Sequence, residues 1–285
     1  MGRDAKTVVI TGGNAGIGKE TAVGLAEQGA RVFITSRDPA RGSAAVAEIR
    51  ERSGNPSVDL VALDLASLAS VRQCAADILD RADRLDVLVA NAGLVVGRRT
   101  ETADGFETTF GVNHLGHFLL TNLLLDRLRE SAPSRVVVVS SHAHKSARRG
   151  LDFDDLQAER RYRPFAVYGR SKLANIYFTR ELARRLERTD VTANSLHPGF
   201  VASRFGRDGD VGLMGNLGMP LVRPFAISQV AGAITPIWLA SSSAVDGVSG
   251  LYFYKCTAAE PSKVAQDDDA ARRLWAASEE LVGAA

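Results

Sequence analysis

The chain has few cysteines, few lysines and no dominant sign of charge. Its 285 residues include only Cys74 and Cys256, whose separation of 182 positions matches no metal-binding or CxxC spacing. We therefore expect two free thiols and a reducing compartment. A net charge of +2 gives no large field of one sign, so nucleic acid is not an implied partner.

Long apolar runs are also missing. No stretch approaches the roughly 18 apolar residues that a membrane-spanning helix needs. The first strand is predicted from about Lys6, which leaves no room for a signal peptide. A myristoylation motif starting at Gly2 would need Ser or Thr at the position of Lys6. These features predict a cytoplasmic protein without a membrane span.

Short apolar runs rich in β-branched residues alternate with helical stretches along the chain. Hydrophobic residues make up 45% of the sequence, which is enough for a sizeable core. Val136–Val139 is apolar at successive positions, as is typical of a parallel sheet covered on both faces. Strands are predicted near residues 6–11, 31–35, 58–62, 86–90, 135–140, 191–195 and 250–254. We predict one Rossmann-type domain over residues 1–285, with a doubly wound, mostly parallel seven-stranded sheet and helices on both faces.

Two segments, 142–166 and 203–226, are longer than ordinary connections. Long loops in compact domains are usually binding loops or lids. The second segment combines glycines with the apolar residues Leu213, Met214, Leu217, Met219, Leu221 and Val222. We predict that 203–226 is a substrate lid, with a plain surface excursion as the alternative.

A glycine-rich turn lies between the first strand and the first helix, within Thr7–Thr21. Gly12, Gly16 and Gly18 stand where the backbone must bend and approach a ligand closely. The following helix directs its free N–H groups toward the same place, which favours an anion. A purely structural strand-to-helix turn is the alternative, because a glycine loop alone is weak support for a ligand site.

Tyr168 and Lys172 stand four residues apart at the start of a helix, so their side chains share one face. A phenol with a pKa near 10 is a poor acid or base at neutral pH. An ammonium about 4–5 Å away would stabilise the phenolate by about 3–4 kcal/mol and lower the pKa of Tyr168. A surface pair without chemistry is the alternative.

Polar residues follow two other predicted strands. Ser140 and Ser141 come after Val136–Val139, and Asn91 begins an Asn-Ala-Gly turn after Asp86–Ala90. Open α/β folds bind ligands at this carboxyl edge of the sheet, although such serines are often only caps. Asn113 opens an apolar helix, where an asparagine is unfavourable unless it bonds something specific.

These motifs together resemble the short-chain dehydrogenase/reductase family over essentially the whole chain. The resemblance rests on the ordered motifs Thr11-Gly12-Gly13-Asn14-Ala15-Gly16-Ile17-Gly18, Asp64-Leu65, Asn91-Ala92-Gly93, Asn113, Ser141, Tyr168-x-x-x-Lys172 and Pro198-Gly199. Within the family the chain is most similar to the retinol dehydrogenase and WW-domain oxidoreductase branch. The runs that carry this similarity are 16–22, Asn113–Phe118, Ser140–His144, Ser171–Asn175 and His197–Gly199.

The resemblance implies hydride transfer between a nicotinamide and an alcohol or carbonyl carbon. Tyr168 would be the general acid or base, and Ser141, chosen over Ser140 by the family motif alone, would hold the substrate oxygen. Lys172 would bind the nicotinamide ribose, and Asn113 would order a relay water. The implied cofactor contacts are Gly12, Asn14, Gly16, Ile17, Gly18, Asp64, Leu65, Asn91, Ala92, Gly93, Tyr168, Lys172, Pro198, Gly199, Val201 and Ser203. Helices beginning near Asn113 and Tyr168 resemble the family's dimer-forming pair and imply a homodimer or homotetramer.

Two cations favour NADP(H) over NAD(H). A carboxylate at the end of the second strand would bond the ribose 2′-hydroxyl of NAD, but this strand ends in Ser36-Arg37. Lys19 lies in the first turn of a helix, where a cation opposes the macrodipole unless a phosphate is near. The alternative is that Lys19 faces solvent and Arg37 pairs with Asp38.

Other interpretations carry less weight. His114, His117, His142 and His144 could suggest a metal, but no carboxylate or cysteine completes a recognised spacing, so we expect none. A catalytically silent NADP(H) sensor or scaffold on the same fold is the main alternative function. A nucleotide-sugar epimerase shares Tyr-x-x-x-Lys but normally has a larger C-terminal region. The apolar residues of 203–226 favour an apolar alcohol, aldehyde or ketone as substrate.

Overall fold

One eight-stranded sheet organises the part of the chain that the computed structural model describes, residues 5–200 and 227–283. Its strands are β1 Thr7–Ile10, β2 Arg31–Ser36, β3 Val58–Ala62, β4 Val87–Ala90, β5 Ser134–Val139, β6 Val191–Leu196, β7 Tyr252–Tyr254 and β8 Thr257–Ala258. Their order is β3-β2-β1-β4-β5-β6-β7-β8. The order reverses between β1 and β4, and the crevice above such a switch point is where this architecture binds ligands. The predicted lid at 203–226 lies outside the described residues, as do Val201 and Ser203.

The predicted doubly wound fold is confirmed, with one strand more than expected. β1 to β7 pair in parallel, whereas β8 pairs with β7 in the antiparallel sense. Lys255 and Cys256 connect these two strands with φ angles of 49° and 58°, as a two-residue hairpin turn requires. No glycine or asparagine marks this turn, so the sequence did not reveal the short eighth strand.

Helices cover both faces of the sheet. They are α1 Gly16–Glu27, α2 Pro39–Ser53, α3 Leu68–Arg81, the single turn α4 Thr108–Phe110, α5 Gly116–Glu130, α6 Pro164–Arg185, α7 Gln229–Ser241 and α8 Asp268–Val282. Successive strand side chains point to opposite faces, so Val136 belongs to the core that includes α3, α5 and α6, while Val137 belongs to the core that includes α1, α2 and α7. This alternation explains the unbroken apolar run in β5. Within the described ranges, no helix is both long and apolar enough to cross a bilayer.

The C-terminal helix α8 packs against α6. Trp275 stacks on Phe178 with ring centroids 5.8 Å apart and meets Phe118 edge-on at 4.9 Å. Arg185 covers the outer face of the same indole at 4.2 Å. The middle of α6, from Ser171 to Leu182, is therefore almost entirely buried within the chain itself.

Candidate active site

The glycine turn leaves space and free backbone donors at the start of α1. Ala15, the N-cap, makes no side-chain capping bond to the first turn of this helix. Gly16 has a φ of +58°, and a side chain there would point into open space. A Cβ on Gly18 would lie 2.5 Å from Asn91 Nδ2, so only glycine allows this close approach. An uncapped helix N-terminus above an open glycine turn fits the pyrophosphate of a dinucleotide.

Thr11 joins the glycine turn to the end of β4. Its Oγ1 accepts from Asn91 N at 2.9 Å and from Ala92 N at 3.0 Å. Asn91 Nδ2 donates in return to the Thr11 carbonyl at 2.8 Å. The Asn91-Ala92-Gly93 turn therefore lies beside the glycine turn, as the order of the strands requires.

Asn113 lies in a π-helical turn, Gly111–Leu115, between α4 and α5. The expectation that it opens a helix was wrong, because the carboxylate of Glu107 caps α4 earlier, accepting from Thr109 N and Phe110 N at 2.8 and 2.7 Å. The Asn113 side chain accepts from Leu94 N at 2.8 Å and donates to Leu94 O and to Ser171 Oγ, both at 2.9 Å. Isolated π turns often mark functional sites.

Gly93 lies between Asn113 and Lys172. A Cβ at this glycine would stand 3.2 Å from Asn113 Oδ1 and 3.1 Å from Lys172 Nζ. The Lys172 ammonium donates to the Val139 carbonyl at 3.0 Å, at the end of β5. Three predicted site residues from distant parts of the chain thus meet at the carboxyl edge of the sheet.

The two adjacent serines have different partners. Ser140 is buried, and its hydroxyl donates to the Lys172 carbonyl at 2.7 Å. Ser141 accepts from Ala143 N at 3.1 Å, and its hydroxyl acts on the Tyr168 phenol, whose pKa it lowers. The geometry therefore gives different partners to two serines that the sequence alone did not distinguish, and it places Ser141 beside the phenol of Tyr168.

Comparison with known proteins identifies the family of the chain. The family model described as short chain dehydrogenase matches residues 6–152. The chain is 49% identical to human retinol dehydrogenase 14, covering 98% of this chain and 86% of that protein, and 45% identical to human retinol dehydrogenase 13, covering 98% and 85%. A crystal structure of an uncharacterized protein from Mycobacterium paratuberculosis superposes with a TM-score of 0.78 at 36% identity, covering 98% and 93% of the two chains.

The chain belongs to the short-chain dehydrogenase family. Its relatives place it in the retinol dehydrogenase-like branch. A member of this family is an oxidoreductase that transfers hydride with a nicotinamide cofactor. The glycine turn and the groups at the ends of β4 and β5 fit such a cofactor.

Burial dominates the electrostatics of Tyr168 and Lys172 in this dehydrogenase. Burial raises the pKa of Tyr168 to about 12, against a smaller lowering by the hydrogen bond with Ser141. Burial also lowers the pKa of Lys172 to about 8. Lys172 Nζ lies 5.8 Å from the centroid of the Tyr168 ring and is bonded to the Val139 carbonyl. The expected lowering of the Tyr168 pKa is therefore wrong for the protein without its cofactor, because loss of solvation outweighs the distant ammonium.

The two cations expected to select NADP(H) have different surroundings. Lys19 faces α2, where its ammonium donates to Glu48 at 2.6 Å and 2.7 Å. Arg37 is exposed after β2 and has no carboxylate partner among the described residues. Asp38 caps α2 by accepting from Ala40 N and Arg41 N at 2.9 and 3.1 Å. Lys19 therefore does not face solvent, and Asp38 caps α2 instead of pairing with Arg37.

The remaining predicted cofactor contacts follow other strands. Asp64 and Leu65 come after β3, where Asp64 Oδ1 accepts from Ala66 N at 3.0 Å. Pro198 and Gly199 come after β6, and Gly199 N donates to His197 Nδ1 at 3.2 Å. Asn14 and Ile17 lie in the glycine turn and the first turn of α1. All of them lie at the carboxyl edge of the sheet.

The four histidines considered as metal ligands point in different directions. His114 bonds Ser278 Oγ at 2.9 Å, whereas His117 bonds Thr11 Oγ1 at 2.8 Å. His144 bonds the Ser141 carbonyl at 2.7 Å, and the ring of His142 lies 5.6 Å from that of His197. In residues 5–200 and 227–283, no three metal-ligating side chains gather into one site.

Sequence reasoning missed three side chains that organise the site. Thr11 and Ser171 entered only as parts of family motifs, and His117 entered only as part of a motif and as a possible metal ligand. Ser171 Oγ accepts from Asn113 Nδ2 and donates to the Tyr168 carbonyl at 2.8 Å. The four-residue spacing between Asn113 and His117 was the one available signal, because it places both on one helix face.

Proposed function

We propose that the protein is an NADP(H)-dependent oxidoreductase that interconverts an apolar alcohol with its aldehyde or ketone. The observation that carries the proposal is the meeting of Ser141, Tyr168 and Lys172 at the carboxyl edge of the sheet, where Ser141 lowers the pKa of Tyr168 and Lys172 Nζ lies 5.8 Å from the Tyr168 ring. A bound nicotinamide supplies or accepts the hydride. Ser141 holds the substrate oxygen by hydrogen bonding. Tyr168 gives a proton to the nascent alkoxide during reduction and takes it during oxidation.

Lys172 and Asn113 support Tyr168 in this proposal. The Lys172 ammonium binds the nicotinamide ribose. Asn113 orders a water that relays protons to and from the site. Its two amide hydrogens are already used by Leu94 and Ser171, so the water would donate to an oxygen of Asn113.

The substrate class is supported by the relatives and by composition. Proteins named retinol dehydrogenases 12, 13 and 14 are 44–49% identical to the chain, which favours a lipophilic alcohol or aldehyde. The apolar residues of 203–226, proposed as a substrate lid, favour the same class. A panel of aldehydes and ketones of increasing chain length, assayed with NADPH and with NADH, tests it. Turnover restricted to small polar carbonyls would contradict the proposal.

The preference for NADP(H) rests on Arg37 and Lys19. A 2′-phosphate would meet the exposed guanidinium of Arg37, and β2 ends in Ser36 instead of a carboxylate that would repel it. The chain superposes on a structure of a Pseudomonas aeruginosa RhlG/NADP complex with a TM-score of 0.70 at 28% identity. The match covers 87% of this chain and 93% of the other chain. We expect tighter binding of NADPH than of NADH, and loss of that preference in Arg37→Ala. Equal affinities in a calorimetric titration of the unmodified protein would contradict this.

Tyr168→Phe distinguishes the enzyme from a silent NADP(H) sensor or scaffold on the same fold. The variant should lose carbonyl-dependent NADPH oxidation while it keeps cofactor binding, since only the hydroxyl is removed. A sensor would show no turnover even before the substitution. Undiminished turnover in the variant would show that Tyr168 is not the acid.

Domain organisation, assembly and location complete the proposal. We infer one short-chain dehydrogenase domain over residues 1–285, a cytoplasmic location, and a homodimer or homotetramer. Because α8 buries the middle of α6, association through the family's helix pair would have to use α5 and the ends of α6. Light scattering of the purified protein tests the assembly, and a mass of one chain, 30.4 kDa, would contradict it.

A further inference from the structure

We propose that His117 is a positioning residue that ties the Asn113 carbonyl to the glycine turn through Thr11. It would act as a single neutral tautomer, donating from Nδ1 and accepting at Nε2. The proposal rests on the proposed function for its catalytic consequence, but not for its geometry. His117 touches neither Tyr168 nor Ser141 through any hydrogen bond of the described structure, so its effect has to pass through Asn113 and Thr11.

The bonding pattern assigns the tautomer. His117 Nδ1 lies 3.2 Å from the Asn113 carbonyl, and a carbonyl can only accept, so Nδ1 carries the hydrogen. On the other side, Thr11 Oγ1 already accepts from Asn91 N and Ala92 N. Its own hydrogen is free to donate to His117 Nε2, which at 2.8 Å is much nearer than the alternative acceptor Val89 O at 3.4 Å. Nε2 is therefore an acceptor without a hydrogen.

A charged imidazole does not fit this position. A second ring hydrogen at Nε2 would face a threonine oxygen whose two lone pairs are occupied by backbone donors. The ring is 2% exposed, and the nearby ammonium of Lys172 opposes a second positive charge. Burial lowers the pKa of His117 to about 4, in agreement with the bonding.

The bridge connects two parts of the site that the chain does not connect locally. One end is the carbonyl of Asn113, in the π turn, where the regular ladder of helix hydrogen bonds is interrupted. The other end is Thr11, which holds the Asn91-Ala92 turn against the glycine turn. His117 therefore links the residue proposed to hold the relay water with the loops proposed to hold the cofactor.

Two substitutions separate the two ends of the bridge. An asparagine amide can occupy the place of Nδ1 and a glutamine amide the place of Nε2. His117→Gln should keep the acceptor toward Thr11 and lose the donor to Asn113. His117→Asn should keep the donor to Asn113 and lose the contact with Thr11. If His117 had only a structural role, both variants would lose stability, and kcat and NADPH Kd would not distinguish them.

The two variants should each change a different quantity, kcat in one and NADPH Kd in the other. His117→Gln should lower kcat by about tenfold, the size expected for one lost buried hydrogen bond, with NADPH Kd unchanged. His117→Asn should raise NADPH Kd by about tenfold and leave kcat at saturating cofactor within about twofold. The matched control is His114→Gln, on the same helical segment and also buried, which should lose thermal stability without either kinetic change. Parallel changes of kcat and Kd in both His117 variants, or no change in either, would overturn the proposal.

The tautomer can be measured without any substitution. In protein with ¹⁵N-labelled histidine, long-range proton–nitrogen NMR should show a hydrogen on Nδ1 of His117 and none on Nε2 from pH 5.5 to 8. A hydrogen on Nε2, or titration in that range, would overturn the bridge even if a variant failed to fold. If the unmodified protein reduced no carbonyl, the proposed function would fail, while the tautomer and the NADPH Kd would still decide the role of His117.

Discussion

The ammonium of Lys19 on α1 donates to both carboxylate oxygens of Glu48 on α2, at 2.6 and 2.7 Å. Glu48 also accepts from Arg52 at 3.2 Å, one helical turn further along. The hydrogen bond from Lys19 is the main cause of the lowered pKa of the Glu48 carboxyl. A 2′-phosphate bound by Lys19 would therefore compete with a carboxylate for the same cation.

Replacing Glu48 should strengthen NADPH binding. Glu48→Gln removes the competing charge, and an ion pair this exposed contributes up to about 1 kcal/mol, so NADPH Kd should fall about two- to fivefold while NADH Kd stays constant. Calorimetric titration measures both. Glu51→Gln, an exposed position on the same helix, is the control for a general change of charge. An unchanged ratio of the two affinities would exclude Lys19 from phosphate binding.

The two serines after β5 should respond differently to removal of their hydroxyls. Ser141→Ala should lower kcat about 100-fold with little effect on stability, because it removes the donor proposed for the substrate oxygen. Ser140→Ala should lower the free energy of unfolding by about 1–2 kcal/mol, since its buried bond to the Lys172 carbonyl is lost. Steady-state kinetics and urea unfolding of both variants test this. Equal kinetic losses would mean that the geometry does not separate the two roles.

The ionisation of Lys172 should limit activity at high pH. Its pKa of about 8 means that the cofactor-free protein loses this ammonium as the pH rises through 8. kcat/KM for NADPH reports ionisations of the free enzyme, so it should fall up to tenfold per pH unit above about pH 8. Lys172→Met should have low activity with no such step. A profile of the unmodified protein that stays flat to pH 9.5 would contradict the prediction.

Buried His114 should make the protein sensitive to acid. Burial lowers its pKa to about 3, helped by repulsion from His117, whereas the unfolded chain binds the proton near pH 6.5. The unfolded state therefore gains protons first, and stability falls as the pH drops from 6.5 toward 3. Between pH 6.5 and 5 this amounts to roughly 2 kcal/mol for one histidine.

His114→Phe should remove that sensitivity. The ring lies among Phe110, Phe118 and Phe178, with centroids 5.2 to 6.1 Å away, so a phenyl group suits the position. Urea unfolding at pH 7 and pH 5 should show a loss of stability about 2 kcal/mol smaller in the variant than in the unmodified protein. His117 contributes equally to both proteins and cancels from the difference. The same loss in both would show that His114 is not the titrating group.

The sequence alone determined the seven parallel strands of the sheet and the position of the glycine turn. These features depend on local patterns: the uninterrupted apolar run at Val136–Val139 means two covered faces, and glycines after a β-branched strand mean a turn. Ser140, Ser141 and Asn91 could be placed at one edge of the sheet for the same reason, because parallel strands end on the same side.

Only the tertiary structure decided how these residues are bonded. Ser140 and Ser141 are neighbours in the chain, but they meet different residues of α6. Ser140 donates to the Lys172 carbonyl, whereas Ser141 acts on the Tyr168 phenol. Lys19 meets Glu48 because two helices on one face of the sheet pack together. The direction of the shift in the Tyr168 pKa depends on burial by residues far away in the sequence. The hydrogen bond of His117 to Thr11 likewise joins residues far apart in the sequence. Hydrogen bonds and solvation are set by contacts between distant segments, which a local pattern does not encode.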